Sequence, residues 1–279
     1  MNTLLVPIDF SECSHKALHF AVDIARATKA KIILFHSFHV PIPPPDAVVD
    51  PIPLPVLMEE NKKRLQKIAD DELLKNNALG TIDIVCQVTI GFATEEIVEF
   101  AKKHKVKMIV MGTQGASGIK KFVFGSNTAS VIGKSDCPVL VIPEKAKFSS
   151  FKRIAVAVDL HEVKNNKVFA PLVELATFFN SEVKLFSVKK DVKERLTIEE
   201  SMEKLNLDKV LVKIPHTFHL AKDGDVVHAI DTFVKDSHAD LLTTLPQKHT
   251  FMELMLNKSI TRDLAFHVHV PLLCLPENN

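Results

Sequence analysis

A chain of 279 residues has room for one large domain or for two of about 140 residues, near the commonest domain size. With 46% apolar and 25% charged residues, the composition is that of a packed globular protein. No run of about 20 apolar residues marks a membrane helix, and a net charge of +1 with no long basic run argues against nucleic acid as the main partner.

Leu4–Ile8 is a short apolar run closed by Asp9 and predicts the first strand. Ser11 or Ser14 then caps a helix over His15–Thr28, whose apolar residues recur at helical spacing. Lys31–Phe38 predicts the second strand. Strand, helix and strand in so short a span make a βαβ unit, and hence a parallel sheet with a right-handed crossover. Val40–Pro55 carries seven prolines and is expected to be an extended surface excursion, or at its sharpest a proline-recognition motif. Leu57–Asn76 predicts a charged amphipathic helix, Ile82–Ile90 a third strand broken by Gly91, Glu95–Lys103 a helix and Lys107–Met111 a fourth strand. Asn127–Gly133 predicts a helix, and Pro138–Ile142 a fifth strand ended by Pro143.

Glu144–Ser150 is short, polar and expected to be a linker, after which the design restarts. Ile154–Val158 ends in Asp159 as Leu4–Ile8 ends in Asp9; Val168–Phe179 predicts a helix, and Glu182–Val188 answers the second strand. Further on the halves align at a constant offset: Gly91 with Gly224, Phe100 with Phe233, Ser126 with Ser259, Pro138 with Pro271, Pro143 with Pro276. A repeat of this period, with a full βα set per copy, predicts an α/β protein of two tandem five-stranded parallel-sheet domains, 1–146 and 151–279.

Between the fourth strand and the next helix of the first copy lies MGTQGASGIKKFVFGSNT, residues 111–128. Gly112, Gly115 and Gly125 punctuate it, followed by Ser126, Asn127 and Thr128. Glycine lets a backbone approach a ligand closely, and the backbone N–H groups of a helix start form a ready phosphate site. The spacing is neither GxxxxGK[ST] nor GxGxxG. In the second copy the three glycines become Leu245, Lys248 and Lys258, while the fold-bearing positions around them persist. A ligand held by the first copy alone accounts for that loss; a differently shaped loop in the second copy is the plainer alternative.

The glycine pattern resembles the nucleotide-binding signature of the universal stress protein family, G-2x-G-9x-G-[S/T], and matches it without a gap. The opening LLVPIDFSECSHKAL resembles that family's first strand and helix. The resemblance covers nearly the whole chain as two copies, with the motif intact in the first and degenerate in the second. It implies a Rossmann-like fold of the adenine-nucleotide alpha-hydrolase-like kind and ATP as the ligand. Pro7 and Asp9 would then contact the adenosine side, and Ser37 would set a backbone group against adenine. Met111 precedes the first glycine; Gly112 and Gly115 would line ribose and phosphates, and Gly125, Ser126, Asn127 and Thr128 would hold phosphate oxygens. Mg²⁺ could accompany those phosphates, though the sequence names no ligand for it. Single-domain members of the family commonly dimerise through the last strand, so here Pro138–Ile142 and Pro271–Leu275 are expected to pair within one chain as a pseudo-dimer. Homo-oligomers through other surfaces are left open.

The expected role is that of a stress-response regulator or switch, working through nucleotide-dependent conformation or partner binding. No nucleophile–base spacing stands out, and the loop offers Lys120 and Lys121 but no carboxylate to position water, with Asp9 the nearest acid. Efficient catalysis is not indicated; slow ATP hydrolysis and a nucleotide-free scaffold remain the competing readings. Cys13, Cys86, Cys137 and Cys274 form no CxxC, and MNTLLVPIDF has no basic leader, so a cytoplasmic setting is expected. His267 and His269, two apart on an apparent strand, are the nearest approach to metal spacing and lack a carboxylate or Cys partner nearby.

Overall fold

The computed structural model describes residues 2–40, 52–75, 80–113, 125–148, 150–158, 163, 165–189, 203, 205–222, 226–245 and 270–276. The first half runs β1 (Thr3–Pro7), α1 (Glu12–Thr28), β2 (Lys31–Phe38), α2 (Leu54–Lys75), β3 (Ile84–Ile90), α3 (Ala93–Lys103), β4 (Met108–Gly112), α4 (Ser126–Lys134) and β5 (Val139–Ile142). The second runs β6 (Arg153–Ala157), a 3₁₀ turn at Asn166–Phe169, α5 (Ala170–Phe179), β7 (Glu182–Lys189), α6 (Leu207–Val210), β8 (His216–Lys222), α7 (Val226–Asp236), β9 (Leu241–Thr244) and β10 (Leu272–Cys274).

The ten strands form one sheet in the order β3-β2-β1-β4-β5-β10-β9-β6-β7-β8. Each half is a parallel five-stranded sheet of the same internal order, and the two meet at β5 and β10, which pair antiparallel with Leu140 opposite Leu273. The fold is thus α/β with two tandem parallel-sheet domains. Among the described residues no helix is long and apolar enough to cross a membrane.

Apolar alternation along the strands serves two layers. Leu4, Val6, Ile32 and Leu34 face α1 and α2, whereas Leu5, Phe35, Ile109 and Val141 face α3 and α4. Parallel strands covered on both faces read as nearly continuous apolar runs, which is why short runs such as VLVI were recognisable. Each domain also carries a strand-order switch: the chain moves outward from β1 to β2 and β3, then returns to the other side of β1 as β4.

Several element boundaries differ from the predicted ones for local reasons. α2 starts at Leu54, inside the proline-dense stretch, because Pro55 falls in the first helical turn, where a missing N–H costs nothing. The rest of that stretch, 41–51, lies outside the described residues. α1 starts at Glu12, with Ser11 as its cap accepting from the Ser14 N–H at 3.2 Å. α3 begins at Ala93 after an N-cap, Phe92, that makes no side-chain capping bond, so no capping residue announced it. The stretch expected to be a polar linker is anchored. Ala146 is buried, and Phe148 packs edge-on against Phe20 of α1, Phe151 and Phe179 of α5, at centroid distances of 5.4, 5.4 and 6.1 Å.

Candidate functional site

The carboxyl ends of β1, β2 and β4 and the start of α4 converge at the first domain's strand-order switch, where open parallel sheets bind their ligands. Between them lies a cleft of about 400 Å³. Its walls include Pro7, Asp9, Ser37, Met111, Gly112, Gly125, Ser126, Asn127 and Thr128. These are nine of the ten residues singled out in the sequence, drawn from four separate segments. The tenth, Gly115, lies outside the described residues, as do Lys120 and Lys121 and the second copy's Lys248 and Lys258.

Local bonds give each segment its shape. The Asp9 carboxylate accepts from the Ser11 N–H at 3.0 Å and from the Ser11 hydroxyl at 2.5 Å, so it is tied to the first turn of α1 while lining the cleft. Asp9 thus both anchors the start of α1 and lines the cleft. Phe10, the next residue, adopts φ 63, an outlier for a bulky side chain. Its ring is held between the His36 imidazole, 4.6 Å away, and the Arg64 guanidinium, 3.9 Å above it.

Across the cleft, the Thr128 hydroxyl donates to the Gly112 carbonyl at 3.0 Å and the Gly125 N–H donates to the Thr113 carbonyl at 2.7 Å. α4 is thereby pinned to the end of β4. The Thr128 hydroxyl proton is committed to that carbonyl, while the backbone N–H groups at the start of α4 remain donors at the cleft, with the Ser126 and Asn127 side chains beside them. The helix cap is Gly125 with its extended ψ, and Ser126 is the first helical residue.

Gly112 has a reason of its own. A Cβ there would lie 2.6 Å from the Cys13 carbonyl oxygen and 2.8 Å from its carbon. The end of β4 and the first turn of α1 touch backbone to backbone, as the sequence alone did not reveal.

Ile8, Ser14, Phe35, Ala93 and Ile97 also line the cleft and were not anticipated. Phe35 and Ile97 read in sequence as ordinary core positions, and nothing local marks them as cleft walls. They add apolar surface to a cleft that also holds the polar start of α4. Asp9 is the sole charged residue in the described lining. Among the described residues no cluster of three His, Cys, Asp or Glu could hold a metal ion, and His267 and His269 lie outside them.

His36 lies beneath the site, on the α2 side of the sheet. Its Nδ1 sits 2.7 Å from the Ile8 carbonyl, so that nitrogen carries the proton and donates. Burial pushes its pKa below the ordinary 6.5; the bond to Ile8 opposes that shift, the Arg64 charge adds to it and Asp9 opposes it. The unfolded chain therefore binds more protons than the folded one in the window below pH 6.5, and stability should fall as pH drops through it. Urea unfolding of the full chain at pH 7.5 and pH 5.5 should show this loss, and His36→Gln, whose amide can still donate to Ile8, should flatten it. An equal pH dependence in the variant would place the sensitivity elsewhere.

Comparison with known proteins adds family to geometry. Residues 1–143 match the family model described as the universal stress protein family. The stress response protein NhaX of Bacillus subtilis is 31% identical over 165 residues, covering 50% of this chain and 97% of its own. A universal stress protein structure from Archaeoglobus fulgidus aligns with 100% of this chain and 97% of its own, at TM-score 0.69 and 19% identity, a likeness of fold. A universal stress protein solved in complex with cAMP covers 50% of this chain and 96% of its own, at 28% identity and TM-score 0.39.

Proposed function

This chain belongs to the universal stress protein family, and from that premise we propose that its first domain binds an adenine nucleotide, ATP or a close analogue, and works as a switch rather than as an efficient enzyme. The observation that carries the reading is the convergence of Pro7, Asp9, Ser37, Met111–Gly112 and Gly125–Thr128 on one cleft of about 400 Å³. That volume lies within the usual range for small-molecule sites.

The lining suits the parts of such a ligand. Phe35, Ala93, Ile97 and Met111 offer apolar surface to a base, with the Ser37 backbone beside it. Asp9, fixed by Ser11, is an acceptor for ribose hydroxyls. The backbone N–H groups of Ser126, Asn127 and Thr128 sit at the positive end of α4 and suit phosphate oxygens. Mg²⁺ would travel with the phosphates, with Asp9 the nearest carboxylate in the described lining. In the described lining the only carboxylate is that of Asp9, which is tied to Ser11 at the start of α1, and we read bound nucleotide as a state of the protein and not chiefly as a substrate.

The two domains, 1–146 and 151–279, divide the labour in this reading: the first carries the ligand, and the second is a built-in partner that pairs with it through β10. The antiparallel pairing of β10 with β5 supports that arrangement, and the loss of all three glycines at Leu245, Lys248 and Lys258 supports a second domain without its own nucleotide. Titration calorimetry of the full chain is expected to give one ATP per chain. Two equivalent sites would overturn the division of labour. Tighter binding of AMP or ADP would keep the site and change the nucleotide, and no binding of any adenine nucleotide would overturn the reading.

A further inference from the structure

Beside the first cleft lies a second compartment of about 510 Å³. Ser37, Ala93 and Asn127 line both, so the two adjoin, and the second is broadly open to solvent. The far wall of the second is aromatic. The rings of His39 and Phe92 stack with centroids 5.0 Å apart and planes 16° from parallel, one presented just past β2 and the other by the turn between β3 and α3. Phe92 is 66% exposed.

Two features mark this wall as built. The turn that presents Phe92 is locked: Gly91 adopts φ 155, a Cβ there would run into the Glu96 carboxylate, and the Gly91 N–H donates to the Phe38 carbonyl at 3.0 Å. The Thr89 hydroxyl holds the same Glu96 carboxylate at 3.1 Å. Secondly, Phe92 occupies the N-cap of α3, where Ser, Thr, Asp or Asn is preferred, and makes no capping bond. A phenyl ring that neither caps its helix nor enters the core breaks two local rules at once, and such breaks gather at functional positions.

The chemistry of the walls selects the occupant. Among the described residues that line it there is no Lys or Arg. Its acidic residue, Glu95, is paired with Lys134 at 2.8 Å. That is a poor setting for a phosphate and a good one for a flat ring, which stacks on aromatic faces whatever its identity.

Resting on the nucleotide reading of the first cleft, we propose that this compartment receives a second planar heteroaromatic ring carried by the same ligand. The whole site then accepts a dinucleoside polyphosphate, with one base in the first cleft and the other stacked against His39 and Phe92.

Calorimetry with ATP and with diadenosine tetraphosphate on the full chain tests this. The dinucleotide should bind at one per chain and about tenfold more tightly than ATP, the gain of one added base–aromatic stack. Phe92→Ala should abolish that advantage and leave ATP affinity unchanged, and Phe92→Trp should restore it. Should Phe92→Ala lower the unfolding midpoint, His39→Ala removes the other half of the stack and carries the same expectation. A dinucleotide no tighter than ATP, an equal weakening of both ligands by Phe92→Ala, or one dinucleotide shared by two chains would overturn the inference while ATP binding stands. Failure of ATP itself to bind would remove the reading of the first cleft, and this inference with it.

Discussion

Gly112→Ala is expected to cost the protein about 3 kcal/mol of stability, the upper part of the usual range for forcing an extra carbon into a packed site. The added Cβ would meet the Cys13 carbonyl oxygen at 2.6 Å and carbon at 2.8 Å, and these are backbone atoms that no rotamer change can move aside. Relief requires β4 and α1 to separate, yet both are fixed. β4 pairs on either side with β1 and β5, and the inner face of α1, with Ala17, Leu18 and Ala21, is fully buried. Because Gly112 lines the cleft and its carbonyl holds Thr128, the same displacement should reduce nucleotide affinity at least tenfold in any folded fraction. Urea unfolding and calorimetry on one preparation would measure both losses, and an unchanged midpoint would show that the strand and helix separate freely.

A charge at Leu140 is expected to be still more damaging. Leu140 is fully buried on β5, paired with Val110 of β4 on one side and Leu273 of β10 on the other. An unpaired carboxylate at such a place belongs to the class of substitutions that cost more than about 4 kcal/mol, a large share of a domain's whole stability. Leu140→Asp should therefore leave little folded protein at a urea concentration that the unaltered chain tolerates, and a midpoint within experimental error of the original would contradict the packing. The companion experiment separates core from interface. Residues 1–146 alone would present β5 as an uncovered apolar edge, a recognised aggregation hazard, and should dimerise or precipitate in size-exclusion runs at rising concentration. In the full chain β10 pairs with β5, and the short segment around Phe148 and Phe151 that joins the two domains makes pairing within the chain the favoured outcome. A first domain that stays monomeric and soluble at high concentration would mean that covering β5 is not what the second domain provides.

Much of this fold is encoded by neighbouring residues. Strands buried on both faces need continuous apolar runs, amphipathic helices need apolar residues at helical spacing, and a repeated βα order implies a repeated parallel sheet; the elements and the tandem design follow from these. The spacing of Gly112, Gly115 and Gly125 ahead of Ser126 was equally local, and it led to residues that share a cleft wherever they are described. Other features join residues far apart in the chain and arise only once it has folded. Nothing around Gly112 announces that Cys13 will lie against it. Phe35 and Ile97 become cleft walls because of the order in which strands lie, not because of their own neighbours. Phe10, in a left-handed conformation, packs its ring against His36 and Arg64, which arrive from β2 and α2. The physical reason is the same in each case: periodicity and turn chemistry act over a few residues, whereas close backbone approach, burial and ring stacking depend on which distant segments the sheet brings together.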